Sequence, residues 1–270
     1  PHALGWDVRF VEGEGPRLAV LTSTGDVERL DRAALHGRLA PVYETVRRVR
    51  AALPPDVTLI GFSGAPWTLA AYMIEGGGSK DFHKARTLAR RRPELVQALI
   101  DGLADAIVDY LAAQVDAGAE ALQLFDSWAG VLPPEEVERW CTAPARRIVA
   151  GVRARCPGVP IIVFPRGIGA GYASFAAAVD ADAVGLDTGV PMDWAARHVR
   201  RAGDRPLCLQ GNLAPIALLG PLDALVERAG IIVRQAAGRP HVLNLGHGVQ
   251  PETPPEAVAR LVGYLKSIRA

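Results

Sequence analysis

The chain has 270 residues, 49% of them apolar, with 30 basic against 29 acidic side chains. A formal charge of +1 without basic blocks argues against a nucleic-acid partner, and no stretch approaches the roughly 20 uninterrupted apolar residues of a membrane span. Cys141, Cys156 and Cys208 lack metal-ligand spacing and are odd in number, which argues against a disulfide framework and makes a reducing cytosol the default compartment.

Residues 7–11 alternate in the strand manner, 13–16 turn, and 17–21 pair back. A helix is expected over 39–53, with Val42, Val46 and Val49 inward and arginines outward. A buried strand, 57–62, is then broken by Gly61, Gly64 and Pro66. Helix 67–75 follows, carrying Tyr72 and stopped by Gly76, Gly77 and Gly78; Tyr72 reads equally as a site phenol or a core aromatic. After a loop comes a long helix, 93–117, capped by Gly118.

From there strands and helices alternate. Strands are expected at 121–125, 161–164, 183–186, 207–210 and 241–245. Helices are expected at 134–140, 144–155, 173–179, 192–200, 222–237 and 255–268. Short apolar strands between helices imply a parallel sheet covered on both faces. The strands end at Ser63, Asp126, Arg166, Asp187, Asn212 and His247. Polar groups at many strand tips fit an α/β fold of the (β/α)8 TIM-type barrel class. A doubly wound sheet would gather them at one switch point, and no glycine-rich phosphate fingerprint follows any strand. Only six barrel strands are found where closure needs eight. The chain opens at Pro1 without a methionine or signal peptide, so the expectation is one barrel domain over 1–270 whose first βα unit or units lie upstream.

His247, between two glycines at a strand end, is placed to project an imidazole into the barrel mouth. Asp126 and Ser127 offer a carboxylate and a hydroxyl that either bind a ligand or cap the next helix. Asp187 reads better as a loop anchor than as a catalyst, and Arg166 could reach an anion. His247 has no cysteine two residues away, so a zinc site is disfavoured; Ser127, His247 and Asp187 could supply a triad, but no nucleophile-elbow sequence supports one.

Three motifs together carry a resemblance. They are the stretch 61–79 (GFSGAPWTLAAYMIEGGGS), the stretch 122–130 (LQLFDSWAG), and 244–248 (NLGHG) with Pro251, Thr253 and Pro254. They resemble the signature of the uroporphyrinogen decarboxylases, and 1–5 with 11–16 resembles a segment near that family's front. The resemblance implies a distorted TIM barrel acting without metal or organic cofactor, usually as a cytoplasmic homodimer on a small-molecule tetrapyrrole. The implied reaction removes carbon dioxide from the four acetates of uroporphyrinogen III, giving coproporphyrinogen III in porphyrin biosynthesis. By motif match, Tyr72, Ser127 and His247 are substrate-contacting, Tyr72 and His247 are the catalytic candidates, and Phe125 lines the pocket. All are expected around one hollow. The family's N-terminal arginine pair and strand-end aspartate would fall upstream of Pro1. That leaves two alternatives open: a zinc-dependent corrinoid methyltransferase on the same barrel, and an inactive tetrapyrrole-binding fragment.

Overall fold

The computed structural model describes residues 1–12, 15–203 and 205–268. Near the front, β1 (Val8–Val11) and β2 (Gly15–Leu18) pair antiparallel, with Val8 opposite Leu18 and Val11 opposite Gly15. Gly13 and Glu14 of the expected turn lie outside the described residues. The return strand ends at Leu18 instead of Leu21. Leu18, still paired with Val8, donates outward to the carbonyl of Gly76, and beyond it the N–H of Leu21 bonds to the carbonyl of Met73, which ties this segment to the helix carrying Tyr72.

A short helix that the periodicity does not announce, α1 (Thr24–Glu28), is opened by a capping box of Ser23 and Asp26. Hydrogen bonds from Thr22 and Ser23 hold the Asp26 carboxyl well below the usual carboxylate range. Helix α2 (Leu35–Ala52) begins four residues before the expected start, at residue 35 instead of 39, because Leu35 is buried and extends the inner face by one turn. That face runs through Leu35 and Tyr43, and Val49 turns out to solvent.

Six parallel strands follow in strict sequence order: β3 (Ile60–Gly64), β4 (Ala121–Asp126), β5 (Ile161–Pro165), β6 (Ala183–Gly185), β7 (Cys208–Gln210) and β8 (His241–Val242). Each pairs with its chain neighbour, Ile60 facing Ala121 and Phe125 facing Phe164. Sequential winding is that of a TIM-type barrel; a doubly wound sheet would reverse its order. Among the described residues β3 and β8 are the edge strands and do not pair with each other. The expected buried strand at 57–62 therefore shifts: Val57 closes a turn onto the carbonyl of Pro54, and Val57 and Ile60 are each 41% exposed. Gln114 completes this edge from behind, its amide accepting from the N–H of Phe62 and donating to its carbonyl, both at 3.0 Å. Strand β8 is shorter than expected; beyond it a single bridge joins Leu245 to Leu213.

Helix α3 (Pro66–Glu75) starts on Pro66 and stops at Gly76, whose φ of +83° is the left-handed cap that glycine supplies. Where a loop is expected, α4 (His83–Arg91) forms. Its sequence hides it, because only Ala85 and Ala89 are buried and the rest is mainly basic. The Glu75 carboxylate accepts from the N–H groups of Lys84 and Ala85, at 2.7 and 3.1 Å, and caps it from outside. The long α5 (Pro93–Asp116) matches its expected span and buries Leu95, Leu99, Leu103 and Leu111.

Helices α6 (Pro134–Val137) and α7 (Ala143–Arg155) are one run, joined through a wider π-type turn at Glu138–Thr142. The remaining helices, α8 (Tyr172–Ala178), α9 (Met192–His198), α10 (Leu222–Gln235) and α11 (Pro255–Ser267), lie within two residues of their expected bounds. A contiguous core connects Leu4 and Trp6 through α3 and α5 to Leu225 and Leu261.

Candidate active site

Strand alternation sends every second side chain into the barrel. At the tips of β3, β4 and β5 this produces an aromatic row. Phe62 meets Phe125 edge-on with centroids 6.0 Å apart, and Phe125 meets Phe164 at 6.1 Å. Below them the buried amides of Gln123 and Gln210 bond to each other at 3.3 Å.

Two hollows open on this row. One, of about 610 Å³, is lined by Phe62, Ser63 and Tyr72 together with Leu103, Ile107 and Tyr110 of α5. The other, of about 420 Å³, is lined by Phe125, Ser127 and His247 with Phe164, Gln123 and Gln210. The four motif residues are thus divided: Tyr72 faces the first hollow, while Phe125, Ser127 and His247 share the second. The T-shaped contact of Phe62 with Phe125 brings the walls of the two hollows together.

Tyr72 is also tied to the motif after β4 by a hydrogen bond. The indole Nε1–H of Trp128 donates to its phenol oxygen at 2.8 Å. Trp128 is itself fixed on two sides: its N–H donates to Thr68 Oγ1 at 3.2 Å, and its carbonyl accepts from Trp67 Nε1 at 3.1 Å. Asp126 neither caps a helix nor faces a hollow. It is buried and accepts from Thr68 Oγ1 at 2.7 Å. Burial pushes its carboxyl up to about 6, against the opposing hydrogen bonds from Thr68 and Cys141. Cys141 is raised in turn by burial and by the charge of Asp126.

Asp187 anchors loops, as its sequence position suggests. It accepts from the N–H of Gly167, the hydroxyl of Tyr172 and the N–H of Gly189, at 2.7, 2.8 and 2.7 Å. Asn212 continues the fastening, its amide donating to the carbonyls of Asp187 and Val190. The loops after β4 and β5 meet backbone to backbone: a Cβ on Gly130 would stand 2.7 Å from Gly167.

His247 lies in the loop following β8 and is exposed at the rim of the second hollow. Partial desolvation lowers its pKa from the ordinary value, and the nearby Arg166 adds to this, so at neutral pH the imidazole is uncharged. Among the described residues the backbone of Arg166 bonds to Asp126 and Gly130, but the side chains of Arg166, Ser127 and His247 form no hydrogen bond or ion pair. No group of three His, Cys, Asp or Glu side chains converges as a metal-ligand set among those residues. Cys141 and Cys156 are buried and Cys208 is half-buried within β7.

Sequence reasoning missed Phe62, Gln123, Gln210, Thr68 and the role of Trp128. Gln123 and Gln210 carry a signal, since each interrupts an apolar strand where an interior polar pair is the simplest explanation. Thr68 carries none, because its partner Asp126 is 58 residues away.

The fold resembles that of a methyltransferase from Methanosarcina mazei, with a TM-score of 0.82 at 21% identity over 100% of this chain and 77% of that one. A B12-independent methionine synthase from Shewanella is more distant, at a TM-score of 0.57 and 10% identity over 97% of this chain and 72% of that one. Identities this low speak to the barrel alone. At the sequence level, the family model described as uroporphyrinogen decarboxylase (URO-D) matches residues 1–268. A uroporphyrinogen decarboxylase of Rhodospirillum rubrum is 48% identical over 273 residues, which is 100% of this chain and 76% of that protein. The enzyme of the same name from Paracoccus denitrificans is 48% identical over 98% of this chain and 77% of its own length. With sequential barrel strands, a motif-lined mouth and nearly half its residues shared along its whole length, the chain belongs to the uroporphyrinogen decarboxylase family.

Proposed function

We propose that the protein decarboxylates the acetate side chains of uroporphyrinogen to give coproporphyrinogen in porphyrin biosynthesis, working in the cytoplasm as a homodimer. The observation that carries this reading is the unbroken similarity to uroporphyrinogen decarboxylases from residue 1 to 268. The methyl-transfer alternative has only the likeness of fold at 21% identity behind it.

The chemistry asks for an unusual mixture of groups. Losing carbon dioxide from an acetate on a pyrrole leaves a carbanion unless the ring is first protonated and can accept the electron pair. The new methylene carbon then takes a proton to become a methyl group. The apolar walls supplied by Phe62, Phe125 and Phe164 suit the ring system. The phenol of Tyr72, the hydroxyl of Ser127 and the neutral imidazole of His247 suit its carboxylates and the proton transfers. In this reading the two hollows serve one macrocycle, with the Phe62–Phe125 pair between its halves.

Anaerobic incubation of the protein with uroporphyrinogen III, followed by chromatography of the oxidised porphyrins, tests it. Stepwise loss of four carboxyl groups is expected. Replacing His247 with Ala should lower kcat/KM about 10- to 100-fold, the size of one hydrogen bond to a charged group. A wild-type protein that leaves the substrate intact would overturn the proposal.

A further inference from the structure

The hydrogen bond between Trp128 and Tyr72 has a direction. An indole nitrogen can only donate, so at 2.8 Å the phenol oxygen of Tyr72 is the acceptor and its own proton must point elsewhere. No acceptor for that proton lies among the described residues, and Tyr72 borders the first hollow. We infer that Trp128 is a positioning residue, which holds Tyr72 as a hydrogen-bond donor aimed at an anionic group of the substrate. The inference rests on the decarboxylase reading given above.

Trp128 is built to hold one orientation. Its N–H is bound to Thr68 Oγ1, whose hydroxyl donates in turn to the buried Asp126. Its carbonyl is bound by Trp67, a residue with no exposed surface. Its ring packs on the fully buried Phe82 with centroids 4.6 Å apart, and Phe82 also meets Tyr72 edge-on at 5.6 Å. The Tyr72 and Trp128 rings stand at 88° to each other, so the indole edge, where the N–H lies, meets the phenol. Because Trp128 directly follows Ser127, the same bracket fixes the backbone that carries the Ser127 hydroxyl into the second hollow. A single residue thereby sets the donor of one hollow against the donor of the other.

The test is a double-mutant cycle on decarboxylation of uroporphyrinogen, using Trp128→Phe, Tyr72→Phe and the double variant. Trp128→Phe keeps an aromatic ring and removes the N–H. It should lower kcat/KM about fivefold, the size of one neutral hydrogen bond, and divide the loss between kcat and KM as Tyr72→Phe does. In the Tyr72→Phe background the same change should cost less than about twofold, since the group it orients is already gone. Unchanged kinetics for Trp128→Phe, or losses that multiply in the double variant, would overturn the inference and leave the decarboxylase reading standing. An inactive wild-type protein would overturn both. If Trp128→Phe fails to fold by thermal melting, benzothienylalanine at position 128, with sulfur in place of N–H in a ring of the same shape, provides the same comparison.

Discussion

The two ends of the sheet differ in how completely they tie down their polar groups. Where the strands begin, charges are tied down. Asp182, just before β6, accepts from the N–H of Ile161 at 2.9 Å and from Arg153 at 3.0 Å. Asp180 binds Arg201 and Arg205, and Glu120 binds the N–H of Leu59 and the side chain of Arg50. Where the strands end, Asp126, Asp187 and Asn212 are fastened too, but the side chains of Ser127, Arg166 and His247 form neither hydrogen bond nor ion pair among the described residues. The carboxylates named are thus bound at both ends, and it is the top that keeps a hydroxyl and an imidazole unpaired beside a hollow, with an unpaired guanidinium near the imidazole, as the architecture expects. The contrast separates stability from chemistry, and it can be tested at both ends.

The largest effect is expected at the closed end. Replacing Asp182 with Ala removes an acceptor from Ile161 and one partner from Arg201, whose side chain is only 2% exposed. Stability should fall by about 2–3 kcal/mol in urea unfolding, the scale of hydrogen bonds lost from a half-buried charged group. The kcat/KM of the folded protein should barely move. A stability loss well under 1 kcal/mol would break the contrast.

The next effect concerns Asp126, which sits at the open end yet is buried like a group of the closed one. Its carboxyl keeps a proton up to about pH 6 when folded and releases it near 3.8 when unfolded. Between those values the native state binds the extra proton, so stability falls as pH rises through the window. Relative to wild type, Asp126→Asn should be more favourable at pH 7.5 than at pH 4.5 by about 2 kcal/mol, read from urea midpoints at both pH values. An equal difference at the two would show that the carboxyl is not held protonated.

How much of this contrast the sequence reveals depends on the range of the interactions involved. Period-2 and period-3.6 patterns are local, so the five strands after β3, the helix carrying Tyr72 and the long α5 are legible from residues alone. The tip residues are legible for the same reason, since each follows its strand directly. Helix α4 is not, because its apolar face is two alanines and its cap is Glu75 from the preceding helix. The division of the motif between two hollows is hidden as well. It depends on where Phe62 and Phe125, 63 positions apart in sequence, come into contact. Trp128 stands in plain view beside Ser127, but its partner Tyr72 lies 56 residues earlier.

The smallest expected effect is electrostatic. Exchanging Arg166 for Gln removes a cation that disfavours the imidazolium, so the His247 pKa should rise toward its ordinary value. Following the His247 ring resonance by NMR across pH 5–8 would show it. A pKa that stays in place would mean that desolvation alone sets it, and that Arg166 stands apart from the site.

The bare contact of Gly130 with Gly167 limits how this mouth can be remodelled. No side chain can be inserted at Gly130 without prying two loops apart, and Gly167 holds a φ of +85° that other residues rarely adopt. Efforts to admit a bulkier macrocycle would do better at Phe62, which is 58% exposed on the edge strand, or in the stretch after His247, where Val249 is equally open. The span between the fourth and fifth strand tips behaves as a fixed caliper, and any widening of the enzyme's diet has to be found on either side of it.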